Sequence, residues 1–374
     1  MANNIEVMLL GNGFDLNHYL ITSYSDFLIV GEYFRDKPCV YNENLSVYDI
    51  LSKITNKSDF MNTSLSIYEN PYKATKIPKT EFFYMAEKFQ ENCWINHFYK
   101  ENPRETWIDL EMLIADVLAS IDNNELNKLR AFEKVIFENS GMTNKEYTHT
   151  KNYILGKEIC DNAFFDQFID FVELLRIYLK VFVDNVLDNM PEIKESQNKL
   201  FKKASFTITF NYTNSYEKLY NRNNIVHIHG DINKEIILGI NSNKNDNDKT
   251  LFNPRFIKYK KYYQRLTKHT IDKLSQVFYW LDTKDNKDSK KFLSVIGHSL
   301  DTSDEDVITV IFEMFDVVFI YYYDDSALDK YVKNLTQIFT AKQLSKMTLS
   351  SKIVFRQLPT NEYIKDLKTN HNNH

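Results

Sequence analysis

The chain has 374 residues, of which 43% are hydrophobic and 26% charged, and its seven Pro and eight Gly argue against long flexible linkers. This composition is typical of a globular protein, and the length exceeds what one compact core usually takes. The formal net charge of -5 gives no overall attraction to nucleic acid phosphates, so nucleic acid is not expected as a partner.

The amino-terminal residues lack a basic region followed by a long apolar stretch, because Glu6 interrupts the only candidate run. Neither a signal peptide nor a membrane-spanning helix is predicted. The three cysteines, Cys39, Cys93 and Cys160, lie far apart in the sequence, which is typical of free thiols in a reducing cytosol. We therefore expect a cytoplasmic protein with no membrane partner.

The first predicted strand is the apolar run Ile5–Leu10, which leads into a Gly-Asn-Gly-Phe-Asp turn at residues 11–15. In a turn between a strand and a helix, glycines let backbone amides approach a phosphate. A phosphate or ribose site is one interpretation of this turn. A plain tight turn is the other, because the third glycine of the dinucleotide fingerprint is missing and Asp15 would repel an anion unless turned aside.

A mainly helical insertion is predicted from residue 36 to residue 195. Apolar residues recur at helical spacing over residues 106–121 and again over residues 164–187. The stretch before residue 78 is polar and aperiodic and allows no assignment.

Glu111 stands out on the first of these helices because Ile114 and Leu118 share its face. Its carboxylate should therefore point toward apolar packing, where it needs a partner or a raised pKa. Such carboxyl groups concentrate at functional sites. The alternative is a residue at the edge of the face that reaches solvent.

After the insertion, predicted strands alternate with helical segments. The strands are expected at residues 205–210, 225–229, 236–240, 292–296 and 317–323, and the helices near residues 256–281, 304–314 and 326–345. This alternation predicts an α/β fold, with a Rossmann-like parallel sheet that helices cover on both faces. Residues 1–35 and 196–374 then form a nucleotide-binding domain around the insertion.

Polar turns follow several of these strands. Gly230 follows the strand that ends at His229, a Gly-His-Ser-Leu turn begins at Gly297, and Asn211 follows the strand at residues 205–210. Ligands of open α/β sheets bind beyond the carboxyl ends of the strands, so these turns predict one shared pocket.

His229 can act in such a pocket as a general base near neutral pH, with a structural role as the alternative. His227 lies on the same strand face and the pair could bind a metal ion, but no nearby carboxylate or cysteine completes a coordination set. No metal is therefore expected. Asn211 offers a donor and an acceptor that suit a ribose hydroxyl or a water, or it is a turn residue that bonds its own backbone.

The last turn contains Ser299 and Asp304. Asp304 or Ser303 could cap the helix that follows. A Gly-x-Ser-x-Gly elbow is absent, so Ser299 is not expected to carry acyl chemistry. The basic stretch of residues 258–265 is interpreted as a solvated helix face whose tyrosines pack inward.

Six short motifs occur along the chain between residues 10 and 304. They are LGNGFDL (10–16), TSYSDF (22–27), WIDLE (107–111), FNYT (210–213) with Glu217, HIHG (227–230), and GHSL (297–300) with Asp304. Together these motifs resemble the bacterial abortive-infection AbiH family. The resemblance implies a role in defence against bacteriophage, in which an infected cell halts growth or dies, and it names no chemistry.

The order of the strand-end motifs is also similar to that of sirtuins and of sirtuin-like NAD hydrolases of phage defence. This likeness implies that the glycines contact a dinucleotide, that an Asn and a His lie beside the nicotinamide ribose, and that a Gly-x-Ser turn lines the cofactor site. Those roles fall on Gly11, Gly13, Asn211, His229, Gly297 and Ser299.

The chain departs from the sirtuin pattern at three points. Asp15 stands where sirtuins have serine, and Thr213 stands where they have aspartate. The paired CxxC zinc module is missing from the sequence, so protein deacetylation is not expected.

The leading hypothesis is hydrolysis of the N-glycosidic bond of NAD or a related nucleotide during phage infection. Such cleavage passes through an oxocarbenium-like ribose, which a carboxylate stabilises while a base activates water. The predicted catalytic residues are His229, Asn211 and Glu111. The predicted nucleotide-binding residues lie in or beside the strand-end turns, and they are Gly11, Asn12, Gly13, Phe14, Asp15, Gly230, Gly297, Ser299 and Asp304.

Two other functions stay open. One is a metal-dependent nuclease or nucleotide phosphohydrolase that uses His227 and His229. The other is a non-catalytic sensor that binds a nucleotide signal and changes its partners. A phage-derived trigger and self-association into a homo-oligomer are also open.

Overall fold

The computed structural model describes residues 4–36, 40–101, 107–141, 143, 145, 158–193, 200–201, 204–241, 253–283, 286 and 288–371. Within these residues six strands form one sheet. They are β1 (Ile5–Leu10), β2 (Phe206–Thr209), β3 (Ile225–His227), β4 (Lys291–Ile296), β5 (Val317–Tyr322) and β6 (Ile353–Gln357).

The strands lie in the order β3-β2-β1-β4-β5-β6, and each neighbouring pair is parallel. This is the strand order of a doubly wound Rossmann sheet, so the predicted α/β fold is confirmed. The order reverses between β1 and β4, where Leu10 is paired with Ile296. Ligands of such sheets bind at this switch point, beyond the carboxyl ends of the strands.

Side chains of β1 alternate between two apolar cores, one on each face of the sheet. Ile5, Val7 and Leu9 belong to a core formed with helices that follow β3. Met8 and Leu10 belong to the other core, which is formed mainly with helices that precede β2. A strand covered on both faces appears in the sequence as a near-continuous apolar run, which is why β1 was predictable.

The region between β1 and β2 is helical where it is described. Its helices are α1 (Asn12–Asn17), α2 (Tyr24–Asp36), α3 (Val47–Lys53), α4 (Asp59–Ile67), α5 (Glu69–Ala74), α6 (Lys79–Glu91), α7 (Cys93–Glu101), α8 (Trp107–Asp122), α9 (Glu133–Ser140) and α10 (Glu158–Leu179). A π-helical turn, Lys180–Asp184, and a short helical turn, Asn185–Leu187, continue α10. The stretch without a sequence assignment contains α3, α4 and α5, which are too short to show a helical period. The division into a nucleotide-binding domain and an insertion stays a prediction.

Helices also alternate with the later strands. They are α11 (Ser215–Tyr220), α12 (Lys261–Thr267), α13 (Thr270–Leu281), α14 (Glu305–Glu313), α15 (Asp325–Leu349) and α16 (Glu362–His371), with 3-10 turns at Pro254–Tyr259 and Thr302–Asp304.

Two strand assignments differ between the sequence and the structure. The predicted strand at residues 236–240 is wrong, because Ile236 and Ile240 make only isolated bridges. Its apolar character reflects burial of an extended segment, since Ile236 and Ile240 are at most 3% exposed. The edge strand β6 was missed, because its exposed end at Arg356 and Gln357 leaves only three apolar residues in sequence.

Cys93 and Cys160 are buried free thiols, as predicted, and Cys39 lies outside the described residues. Burial raises the pKa of the Cys93 thiol, so this side chain stays protonated and packs as an apolar group. None of the described helices combines the length and the apolar character needed to cross a bilayer.

Candidate active site

The turns after β1 and β4 meet at the switch point of the sheet. Gly297 has a φ of +69°, and a Cβ at this residue would lie 2.2 Å from the backbone N of Phe14. A Cβ on Gly11 would lie 2.4 Å from Cα of His298, and one on Gly13 would lie 2.7 Å from Cα of Gly297. The glycines are therefore needed because two backbones approach more closely than a side chain allows.

The amides of the first turn are largely bonded within the protein. The N–H of Gly13 donates to the carbonyl of Gly297 at 2.8 Å, and the N–H of Phe14 donates to the carbonyl of Gly11 at 2.8 Å. The Phe14 side chain is fully buried, whereas Asn12 is partly exposed. This geometry agrees with a tight turn. A role for these residues in nucleotide binding stays a prediction.

Asp15 is turned aside from the first turn and toward the turn after β2. Its carboxylate accepts hydrogen bonds from Oγ1 of Thr213 at 2.6 Å and from Oγ of Ser215. Burial raises the pKa of Asp15 to about 6, although the two hydroxyls and the Asn211 side chain lower it in part. Asp15 and Thr213, both departures from the sirtuin pattern, are thus one hydrogen-bonded pair in this protein.

Asn211 is held through its backbone at the end of β2. Its N–H donates to Oγ1 of Thr209 at 3.1 Å, and its carbonyl accepts from Nδ1 of His227 at 2.9 Å. Nε2 of His227 lies 2.7 Å from Oε1 of Glu217. Burial lowers the pKa of His227, but the contact with Glu217 outweighs burial and raises the pKa overall. Both ring nitrogens of His227 are therefore occupied.

His229 and Asp304 lie at the centre of a second buried group. Nε2 of His229 is 3.0 Å from Oδ1 of Asp304. Asp304 does not cap α14 with its side chain, and Asp301 caps the preceding 3-10 turn. Burial lowers the pKa of His229, which keeps the imidazole neutral at pH 7. Burial alone would raise the pKa of Asp304, but Lys261 and His229 hold it well below its usual value.

Helix α12 directs two cations at the same carboxylate. Nζ of Lys261 lies 3.4 Å and a terminal nitrogen of Arg265 lies 3.5 Å from Oδ1 of Asp304. These two residues are 2% and 1% exposed, whereas Leu266 is 58% exposed. The interpretation of residues 258–265 as a solvated basic face is therefore wrong for Lys261 and Arg265, whereas Tyr259 packs inward and is 4% exposed.

Glu111 reaches this group from α8. Its Oε1 lies 2.6 Å from Nζ of Lys261, so the ammonium bridges Glu111 and Asp304. The Glu111 side chain is 12% exposed. Burial raises its pKa to about 7, although Lys261 lowers it in part. Oε2 of Glu111 is buried and finds no hydrogen-bond partner among the described residues.

His298 joins the group from the turn after β4. Its Nδ1 accepts the N–H of Leu300 at 3.0 Å, so the neutral ring carries its hydrogen on Nε2, 3.9 Å from Oδ2 of Asp304. Burial lowers the pKa of His298 to about 4. The next residue, Ser299, is exposed, and its carbonyl accepts a hydrogen bond from Asn334 at 2.9 Å.

The predicted site residues thus fall into two buried groups. We call the first the acid–base cluster, and its members are Glu111, His229, Lys261, Arg265, His298 and Asp304. We call the second the Asp15 network, and its members are Asp15, Asn211, Thr213, Ser215, Glu217 and His227. Phe210 lies beside the first group, with its ring centroid 5.0 Å from that of His229 and 4.2 Å from that of His298. Since Phe210 directly precedes Asn211, the two groups are neighbours at the strand ends.

Gly230 shapes the turn directly after His229. Its φ is +75°, and a Cβ there would lie 2.0 Å from the carbonyl oxygen of Glu235. The residue allows the chain to fold back after β3, which fixes the place of His229.

Sequence reasoning missed Lys261, Arg265 and His298 as members of a site. The spacing of four residues between Lys261 and Arg265 places them on one helix face, which was a usable signal. Their burial was not visible, because the carboxylates that compensate them come from distant segments. Across the described ranges, no group of three or more His, Cys, Asp or Glu side chains is arranged to hold a metal ion.

Comparison with known protein families matches residues 7–323 of the chain to the family described as bacteriophage abortive infection AbiH. The matched residues include every member of the acid–base cluster and of the Asp15 network. Neither the curated proteins nor the solved structures contain a match, so the likeness to sirtuins gains no support from these comparisons.

Proposed function

We propose, from the premise that this chain belongs to the AbiH family and therefore acts in abortive infection against bacteriophage, that it cleaves the N-glycosidic bond of NAD or a related nucleotide. The observation that carries this proposal is the acid–base cluster. It combines a neutral histidine, held at 3.0 Å by a carboxylate, with a second carboxyl group whose pKa is about 7. The cluster lies at the strand ends, where doubly wound sheets bind nucleotides.

His229 is the proposed general base. If Nε2 carries the hydrogen and donates it to Asp304, the lone pair of Nδ1 is free to accept a proton from water. Nδ1 has no hydrogen-bond partner among the residues that the structure describes, so it is available for this role. The water oxygen then bonds to C1′ of the ribose, and its proton goes to Nδ1.

Glu111 is the proposed carboxylate that faces the ribose. As the C1′–N bond breaks, the bonding electrons leave with the nicotinamide, and positive charge develops on the sugar. An ionised carboxylate stabilises that charge, and the unpartnered Oε2 supports this assignment. The products are nicotinamide, ADP-ribose and one proton.

The remaining proposed contacts come from the strand-end turns. Asn211 takes a ribose hydroxyl or the attacking water. The strand-end turns line the proposed nucleotide site. The residues that line it are Gly11, Asn12, Gly13, Phe14, Gly230, Gly297 and Ser299. Asp15 and Asp304 are both hydrogen-bonded to other residues of the protein. In this proposal they support the residues that line the site and do not contact the nucleotide.

The test measures nucleotides in infected cells and in a purified reaction. Cells that carry the wild-type protein or His229→Asn are infected with phage, and their nucleotides are followed by mass spectrometry. The purified proteins are incubated with NAD and other nucleotides, with and without EDTA. Wild type should release free nicotinamide or another base and should protect the culture. His229→Asn should do neither.

A matched control is His269→Asn, because His269 is an exposed histidine paired only with Asp272. This variant should retain release of the base and protection. Full protection by His229→Asn would overturn the proposal. Loss of activity in EDTA with phosphate-ester products would point to a metal-dependent phosphohydrolase, and binding of a nucleotide without any product would point to a sensor.

A further inference from the structure

Residues 253–261 contact α8 at two places on one face of that helix, and we call these residues the α8 strap. The strap contains the 3-10 turn Pro254–Tyr259 and ends at Lys261, the first residue of α12. Its partners on α8 are Glu111 and Asp122. Eleven residues advance an α-helix by three turns with only about 20° left over, so these two side chains lie on the same helix face, about 16 Å apart along the axis.

The remote end of the strap is bound to the last residue of α8 and to the first turns of α10. Nδ2 of Asn253 donates to Oδ1 of Asp122 at 2.8 Å. The guanidinium of Arg255 forms a bidentate pair with Asp161, at 2.6 and 2.5 Å, and one of its terminal nitrogens lies 3.9 Å from Asp122. A bidentate pair of this kind fixes direction as well as distance. The carboxyl end of α8 is therefore tied to the strap and, through Arg255, to α10.

The middle of the strap is buried, which connects its two ends. Phe256 and Tyr259 are 2% and 4% exposed, and the ring centroid of Tyr259 lies 4.9 Å from that of Phe168 on α10. The carbonyl of Tyr259 accepts the N–H of Ile240 at 2.9 Å, and the carbonyl of Ile240 accepts the N–H of Lys261 at 2.9 Å. Close-packed interiors transmit displacements. A shift of the remote end therefore reaches Lys261.

The near end of the strap holds Glu111 at the acid–base cluster. Nζ of Lys261 lies 2.6 Å from Oε1 of Glu111, 3.3 Å from Oγ of Ser303, and 3.4 and 3.5 Å from the two carboxylate oxygens of Asp304. An ammonium has three donors, and four protein oxygens surround this one. Lys261 therefore serves these protein groups, whereas Oε2 of Glu111 has no hydrogen-bond partner among the described residues.

We propose that Lys261 and Arg255 are positioning residues for Glu111, one at each end of the α8 strap. Glu111 is the one member of the acid–base cluster that precedes β2 in sequence, whereas all the others follow β3. The cluster is thus assembled from two parts of the chain, and the strap fixes where α8 brings its carboxylate. Arg255, on the remote side of the strap, reaches the substrate only through Glu111.

This inference rests on the proposed function only in the role of Glu111. Its geometric part is tested without turnover, by hydrogen exchange of the full-length protein followed by mass spectrometry. Arg255→Met keeps an apolar stem and removes the contacts with Asp122 and Asp161. The amides of α8 should then exchange faster than in the wild type, because local opening of this helix costs less.

A matched control is Lys88→Met on α6. The side chain of Lys88 is 20% exposed against 21% for Arg255, and it also lies near two carboxylates, those of Glu87 and Asp170. Lys88→Met should leave the exchange of α8 unchanged. Equal exchange of α8 in Arg255→Met and Lys88→Met would overturn the role of the strap.

The functional part is tested with NAD as the probe. Arg255→Met should lower kcat by about 10- to 100-fold, because a misplaced catalytic group costs this much, while Lys88→Met retains wild-type kcat. In a Glu111→Gln background, Arg255→Met should cost little more, since the residue through which it acts is already lost. The same fold loss in both backgrounds would refute the inference. If the wild type consumes no nucleotide but α8 still exchanges faster in Arg255→Met, the proposed function fails and the holding of α8 by the strap stands.

Discussion

Nε2 of His229 lies 3.0 Å from Oδ1 of Asp304, although 75 residues separate them in the chain. The contact joins the segment after β3 to the turn after β4, across the switch point of the sheet. A carboxylate can only accept, so the closer contact with Asp304 favours the hydrogen on Nε2 over the competing donor Arg265, whose terminal nitrogen lies 3.4 Å from the same Nε2. The chemistry proposed for His229 depends on this choice, since the free lone pair must be on Nδ1.

Asp304→Asn should therefore abolish most of the activity and leave the fold in place. The new carboxamide donates to Nε2, which forces the hydrogen onto Nδ1 and removes the base. We expect nicotinamide release to fall by about 10²- to 10⁴-fold, with nucleotide binding retained. The control is Asp301→Asn, because Asn caps the 3-10 turn as well as Asp does. Equal activity of the two variants would exclude the dyad.

Activity should rise with pH through about 7. The proposed role of Glu111 needs the ionised carboxylate, and the pKa of Glu111 is about 7. Burial lowers the pKa of His229 and so favours the neutral imidazole in this range. Glu111→Gln should lower kcat and remove this limb of the pH profile. An unchanged limb in the variant would show that another group controls it.

Lys261→Met should destabilise the fold strongly. The ammonium of Lys261 lies between the carboxylates of Glu111 and Asp304, and removing one member of a buried ion pair typically costs about 3 to 5 kcal/mol. Adding Glu111→Gln removes one of the two uncompensated charges and should recover part of that loss. The free energy of unfolding in urea, measured for both single variants and the double variant, gives the coupling. Additive losses would contradict the bridging role of Lys261.

Asp15 should make stability depend on pH between about 4 and 6. Its pKa is about 6 in the folded protein against 3.8 for the ordinary group. The folded state therefore binds the proton more tightly, so this contribution is fully present below pH 4, falls as pH rises to 6, and is constant above. The change is at most about 3 kcal/mol, at 1.36 kcal/mol per pKa unit. The difference in unfolding free energy between wild type and Asp15→Asn, followed from pH 4 to 7, should show this slope. Parallel curves would contradict it.

Gly297→Ala should be far more harmful than Gly141→Ala. Both residues have positive φ, of +69° and +65°, so both variants carry the backbone strain of about 1 to 2 kcal/mol. At Gly141 no atom lies within 4 Å of the new Cβ, whereas at Gly297 the N of Phe14 lies at 2.2 Å. We expect Gly297→Ala to lower the melting temperature much further and to abolish activity. Similar melting temperatures of the two variants would mean that the turn at Gly297 can move away from Phe14 with no loss of stability.

The sheet was largely predictable from the sequence, because parallel strands that are buried on both faces consist of long apolar runs. The sequence also raised apolar surroundings for the Glu111 carboxylate as one of two alternatives, and in the structure that side chain is 12% exposed and shares its helix face with the buried Ile114 and Leu118. It did not predict that Lys261 and Arg265 are buried. A charged face appears solvated in sequence unless its counter-charges are known, and here Glu111, Asp304 and Asp306 come from other segments.

The strand at the centre of the sheet is made first, and its two neighbours begin only at Phe206 and Lys291. A ribosome that stops before codon 304 therefore releases a polypeptide without the carboxylate that orients His229. Under the proposed function, such a shortened polypeptide would not cleave nucleotides. The proposed activity is thereby confined to polypeptides long enough to include Asp304.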